Sequence, residues 1–324
     1  MKKQEEAVKS AEEVEREFRK KCLGEAGIGY SAGAAFVILI SVFFSLIVGA
    51  STTFPKDVLT GETIYPDWYR YCSYLIPQLC LAGAALLYFL RTKEPVRVVT
   101  KTCKWYYFFI AIAIQLGLLF SVSELNELFS KGMAALGYKS DSVGVPSLDG
   151  WNLLPAIIVI ALLPAIFEET LFRGILSRNM HASGWGIVPT VFIAGALFSV
   201  YHGNPVQTLY QFVSGVCLTF VAVKAGSIFP TVIAHFLNNA LILGLGSAGI
   251  NSLWESLPLG AYIAVIAVGA LLFMGALAFL IFFDRKSNQK GKVVNGKRFF
   301  FCAAAGIGIC AIEWIVNLIT GFLK

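Results

Sequence analysis

Apolar residues crowd this chain in long runs separated by short polar connections, so densely that periodicity cannot orient the helices they form. Nine runs approach or reach the roughly 17–25 residues of a membrane-crossing helix. They are residues 31–50, 72–90, 105–123, 151–173, 187–202, 207–223, 229–246, 259–283 and 299–321. The pattern predicts an all-α protein, a polytopic membrane helical bundle of eight or nine transmembrane helices. Residues 1–26 read differently. Val8, Ala11, Val14, Phe18 and Cys22 recur at helical spacing among Glu and Lys, which predicts a short amphipathic helix ahead of the first span. The long polar connections are 51–71, 124–150 and 284–298, and no internal repeat or soluble domain interrupts the series. Four parts follow: an N-terminal segment at 1–26, a transmembrane block at 27–150, a central block at 151–246 and a C-terminal pair of helices at 247–324.

Composition agrees with the runs. Hydrophobic residues make up 57% of the 324 positions and charged residues 14%, against about 45–50% and about 25% in soluble domains. A disordered chain, a disulfide-stapled secreted module and a nucleic-acid binder are excluded. The net charge of +6 is a topology signal. With residue 1 in the cytoplasm, the cytoplasmic segments collect 21 of the 26 Lys and Arg, and the outer ones keep Lys56, Arg70, Lys131, Lys139 and Lys324. The expected protein is therefore a multi-pass protein of the cell membrane with a cytoplasmic N-terminus. No signal peptide is expected, because residues 1–26 are too charged to be an apolar leader. The seven cysteines include no Cys-x-x-Cys pair and read as small hydrophobes. Cys22 and Cys103, next to basic residues, are candidates for palmitoylation.

A charge near the bilayer centre costs at least about 2.5–3.5 kcal/mol on insertion scales, so ionisable residues inside the runs mark the chemistry. Most concentrate in 151–246. The fourth run ends with Glu168, Glu169 and Arg173. Adjacent helical residues point about 100° apart, so the two acids face different ways. Glu169 and Arg173, four apart in the favourable order, form a pair and leave Glu168 free to act as a general base. The fifth run ends at Phe198 and His202, before a Gly203-Asn204-Pro205 turn. The seventh carries His235 and Asn239 on one helical face. His181 falls in a loop and reads as incidental. Glu313, in the last run, reads as a boundary or interhelical residue near the outer interface.

In this order the three motifs resemble the CPBP family of intramembrane proteases, the CAAX prenyl endopeptidases and their bacterial relatives in bacteriocin processing and immunity. Its Glu-Glu-x-x-x-Arg resembles Glu168 through Arg173, its Phe-x-x-x-His resembles Phe198 through His202, and its His-x-x-x-Asn resembles His235 through Asn239. Lys224-Ala225-Gly226-Ser227-Ile228-Phe229-Pro230 resembles the family's connection before the third motif. The resemblance covers about residues 150–246. It implies a hydrolase of the glutamic intramembrane endopeptidase type, with 151–246 as its catalytic helical core. Glu168 and His202 would activate water, His235 and Asn239 would stabilise the oxyanion, and Glu169 and Arg173 would hold the fourth helix in register. No metal and no cofactor are implied, and the chain lacks His-Glu-x-x-His. The partners expected are a peptide or membrane-protein substrate and the lipid bilayer, with no nucleic acid. A noncatalytic immunity or scaffold protein of the same fold is the alternative. A proton-coupled transporter and a zinc enzyme are weaker ones.

Straight spans would separate Glu168, near the cytoplasmic side, from His202, at the far end of its run. The expectation is therefore that 187–202 and 207–223 form a short hairpin that stops within the bilayer. The fourth helix would continue past Arg173 towards Arg178, and the cavity would open to the cytosol.

Overall fold

The computed structural model describes residues 2–58, 63–140, 143–248, 256–284 and 295–324. Residues 285–294 of the basic connection 284–298, 59–62 of the connection 51–71, 141–142 of the connection 124–150, and the side chain of Val8 lie outside the described residues. The described chain folds into helices α1 (Lys2–Ser51), α2 (Asp67–Thr92), α3 (Tyr106–Ala135), α4 (Gly150–Ala182), α5 (Ile187–Tyr201), α6 (Pro205–Ala225), α7 (Phe229–Ser247), α8 (Leu259–Phe283) and α9 (Lys297–Phe322). All but α5 are long and apolar enough to cross a membrane, eight among the described residues. The protein is an all-α, multi-pass membrane bundle.

Two of the expected boundaries shift. The amphipathic segment and the first span are one unbroken helix, α1, so nothing interrupts the backbone at residue 26. Val14 and Phe18 on its early turns are exposed, and burial begins at Cys22 and Leu23. The other shift positions the site. α5 has only 15 residues, about 22 Å at 1.5 Å per residue, less than the roughly 30 Å hydrocarbon thickness. α4 has 33 residues, about 50 Å, and passes the end of its apolar run at 173 to reach Ala182, in the direction the hairpin geometry anticipates. Glu168 and His202 each lie about 20 Å along their helices from the connection between Ala182 and Ile187. Antiparallel neighbours of these lengths bring the two residues to one level.

Two apolar cores divide the bundle. One joins α1, α2, α4, α5 and α9 through residues such as Tyr30, Leu81, Phe172, Phe198 and Phe299. The other joins α3, α6, α7 and α8 through Tyr107, Ile114, Leu218, Val221 and Leu280. The α5–α6 hairpin links them. Its helices approach so closely that a Cβ on Gly215 would stand 2.8 Å from the Cα of Gly195, the small-residue packing expected where lipid supplies no hydrophobic drive. The turn is made by Gly203, at φ +60, and by Asn204, whose Oδ1 accepts from the Val206 amide at 3.1 Å. α6 ends at Gly226 in the left-handed region, φ +68, with its amide on the Ala222 carbonyl at 2.8 Å. Pro230 then opens α7, where a missing amide hydrogen is harmless.

Outside the spans, Glu94 ties α2 to α4. It accepts from Arg178 Nη1 and Nη2 at 2.8 and 3.1 Å and from the Tyr88 hydroxyl at 3.1 Å. The hydrogen bond from Arg178 holds the Glu94 carboxyl below its ordinary value of 4.5. A carboxyl depressed in the folded state stabilises fully above its unfolded pKa, and the contribution is lost as pH falls through the folded value. Glu94→Gln is expected to lower stability at pH 7 by less than about 1 kcal/mol, since the pair is partly solvated. The gap between the two proteins in detergent thermal unfolding should close as pH is lowered below about 4.5. A gap that persists at pH 3 would assign the loss to packing and not to charge.

Candidate active site

The site forms at the seam between the two cores, where α4 meets α2, α5 and α7. Over Glu169–Ser177 α4 widens to π-type hydrogen bonding, a distortion that recurs at functional sites. Glu168 and Glu169 straddle its start and face apart. Glu169 and Arg173 are wholly buried, with Arg173 Nη1 donating to Glu169 Oε1 at 2.8 Å. The guanidinium also lies over the Phe198 ring of α5, 4.3 Å from its centroid. His235 of α7 reaches the same carboxylate oxygen through Nδ1 at 3.0 Å. One acid therefore holds a cation on its own helix and an imidazole across the seam.

Glu168 looks the other way. Its Oε1 accepts from Gln78 Nε2 of α2 at 3.2 Å, and its Oε2 stands 3.9 Å from His202 Nε2. His202 Nδ1 lies 2.8 Å from the Phe198 carbonyl, an acceptor only, so that nitrogen carries the hydrogen. In the neutral ring Nε2 then offers a lone pair towards Glu168. The T-shaped contact between Phe198 and His202, with centroids 4.5 Å apart, holds the ring. Five of the seven buried side-chain polar atoms without a hydrogen-bond partner among the described residues belong to Gln78, Glu168, Glu169 and Arg173. The seam thus carries unspent hydrogen-bonding capacity next to both acids.

Asn239 is placed by a different logic. The Ile160 carbonyl would ordinarily accept from the amide four residues on, but that residue is Pro164, which has none. Asn239 Nδ2 donates to this carbonyl at 3.2 Å. Its Oδ1 accepts from Asn238 at 3.0 Å, and the chain of contacts runs on from Asn238 to the Tyr210 hydroxyl and to Gln115. His235 and Asn239 thus both face α4, about one turn apart along α7. His181 binds the Trp185 carbonyl at 3.2 Å. It lines a cavity of about 200 Å³ that also touches Arg173 but not Glu168, His202, His235 or Asn239. All seven cysteines are free thiols, and among the described residues no group of three His, Cys, Asp or Glu side chains converges as a metal site.

Gln78, Asn238, Tyr210 and Gln115 are the polar neighbours that motif reading passes over. The available signal was an amide inside an apolar run, in 72–90 for Gln78 and in 105–123 for Gln115.

Residues 150–241 match the family model described as type II CAAX prenyl endopeptidase Rce1-like. The match is to the CAAX protease family. It includes Glu168, Glu169, Arg173, His202, His235 and Asn239, and it spans the segment in which the three motifs lie. No curated protein and no solved structure matches the chain. The Rce1-like segment supplies α4 to α7, while Gln78 on Glu168 comes from α2, outside it.

The role of Pro164 is open to a double-mutant cycle. Asn239→Ala should lower stability by about 1 kcal/mol by removing the hydrogen bond to a half-buried carbonyl. In a Pro164→Ala background, where the new amide can serve Ile160, the same replacement should cost clearly less in thermal unfolding. Equal losses in both backgrounds would show that Asn239 does not serve this carbonyl.

Proposed function

We propose that this protein is an intramembrane endopeptidase that hydrolyses a peptide bond with water activated by Glu168 and His202, without a metal ion. The observation that carries the reading is the 3.9 Å separation of Glu168 Oε2 and His202 Nε2 among apolar helices. The gap is too wide for a hydrogen bond. A water about 2.8 Å from both atoms bridges it, with an angle of about 90° at its oxygen, and can donate to each. Both acceptors are oriented beforehand, Glu168 by Gln78 and His202 by the Phe198 carbonyl.

In this reading the water oxygen attacks the scissile carbonyl carbon as Glu168 takes its proton. The tetrahedral intermediate then collapses, the carbon–nitrogen bond breaks, and the proton passes to the leaving nitrogen. His235 Nε2 and the second amide hydrogen of Asn239 are the donors proposed for the oxyanion. With Nδ1 donating to the Glu169 carboxylate, a proton on Nε2 as well makes the ring an imidazolium, and that is the form this role requires. Glu169 and Arg173 act as supports. The substrate is a peptide or a membrane-protein segment, and the bilayer is the second partner. The 21-to-5 distribution of Lys and Arg supports a cell-membrane protein with its N-terminus in the cytoplasm.

The test is cleavage of a peptide panel by the purified protein, with and without a chelator. Glu168→Gln should reduce kcat/KM by at least about 100-fold with its unfolding temperature unchanged, and EDTA should leave the wild type unaffected. Activity abolished by EDTA and restored by zinc would replace the mechanism with a metal-dependent one. Full retention of a cellular phenotype by Glu168→Gln would replace enzyme with scaffold.

A further inference from the structure

Glu313 lies within α9, outside the segment that matches the family. Its carboxylate sits against the backbone of the α5–α6 turn. The carboxylate atoms stand 3.1–3.3 Å from where a Cβ of Gly203 would be, one residue beyond His202. It is an interhelical residue, packed against that turn. Counted from the start of its helix it lies about 24 Å along α9, a depth comparable with that of His202 on α5. Two further residues of the same helix face the turn. Trp314 Nε1 donates to Thr208 Oγ1 at 2.8 Å, and Asn317 Nδ2 donates to the Gly203 carbonyl at 2.8 Å.

Those two side chains are committed to the turn, but Glu313 is not. Among the described residues no hydrogen bond or ion pair holds it, and it is only half-buried. Neither oxygen is among the atoms sealed from solvent without a partner. An acid placed inside a membrane-spanning helix faces a partner or a water-filled crevice, because hydrocarbon does not accommodate it. A structural role would have spent it on the turn, as Trp314 and Asn317 are spent. The adjoining chemistry is the Glu168–His202 pair, and no Lys or Arg accompanies Glu313 on α5 or on α9 after Arg298.

We propose that Glu313 is an acidic subsite of the active site that receives a cationic group of the substrate, a Lys or Arg side chain or a free amino terminus, on the α9 side of His202. The proposal rests on the hydrolytic reading for the word substrate, but the preference itself is one of binding. A peptide running past His202 would bring one residue close to the Gly203 turn, where a positive charge meets the unpaired carboxylate. Its gain is large for the same reason that the unpaired acid is costly, namely the low polarity around both.

The probe is a labelled apolar ten-residue peptide with Lys, norleucine or Glu scanned through it, plus forms with a free and an acetylated amino terminus. The full-length protein in detergent is assayed in two ways. Cleavage is followed with the wild type, Glu313→Gln and Glu313→Asp. Binding is followed with each of the three in a Glu168→Gln background, so that charge preference is read whether or not hydrolysis occurs. The wild-type sequence at 313 should favour Lys over norleucine at one position by about tenfold in affinity. Glu313→Gln should reduce that ratio to near one, and Glu313→Asp should retain part of it. In cleavage the change should fall on KM and leave kcat within about twofold. A preference confined to the free amino terminus would assign the subsite to the peptide end. A ratio unchanged by Glu313→Gln, or a uniform loss of kcat across all peptides, would overturn the proposal. Binding preference without any cleavage would keep the subsite and sink the hydrolytic reading.

Discussion

A charge that enters the bilayer must bring its partner with it, and here that requirement is met at Glu169. Its carboxylate takes the Arg173 guanidinium from one side at 2.8 Å and the His235 imidazole from the other at 3.0 Å. Removing one member of such a buried group leaves the others unpaired, at a cost of about 3–5 kcal/mol. The contact therefore fixes α7 against α4 at one register. It also decides what the neighbouring acid can do. Because successive helical residues diverge by about 100°, committing Glu169 to α7 turns Glu168 towards α2 and α5, where Gln78 and His202 wait. One acid ties α4 to α7, and the other faces α2 and α5.

Helix length supplies the second half of the geometry. A hairpin of equal full-length spans would carry His202 to the opposite membrane face from Glu168. The truncation of α5 to 15 residues and the extension of α4 to Ala182 place the two at matching distances from their shared connection. The turn that ends α5 within the bilayer needs its backbone groups satisfied. Asn204 does part of this locally, accepting from the Val206 amide, and Asn317 of α9 donates to the Gly203 carbonyl. A discontinuity inside a membrane is thus possible because a distant helix covers it.

Much of this was legible in the residues. Apolar runs locate the eight long helices among the described residues, since a run long enough to cross lipid has few other structures open to it. The i, i+4 spacing of Glu169 and Arg173 anticipates their pairing, and the short run 187–202 signals the truncated helix. The remainder depends on tertiary contact, which spacing does not encode. His235 was expected at the oxyanion with Glu169 apart from it. The structure joins the two, leaving only Nε2 of the ring for a ligand. The exposure of the early turns of α1 and its continuity with the first span are equally invisible in a pattern that changes from charged to apolar at residue 26. Asn239 reads as a functional amide in the motif, but its tie to Ile160 becomes apparent only once Pro164 is seen facing it.

The family match stops at residue 241, yet the site does not. Gln78 donates to Glu168 from α2, and α9 lays Glu313, Trp314 and Asn317 along the α5–α6 turn. Neither α2 nor α9 carries any of the three motifs, which lie on α4, α5 and α7. In the proposed reading the matched core holds the groups for hydrolysis, and the helices packed around it add Gln78 and Glu313 to the same site. A fold that grafts sites in this way does not reveal its substrate through its motifs. In the proposed reading the residues that would do so lie on the outer helices, with the carboxylate of Glu313 among them.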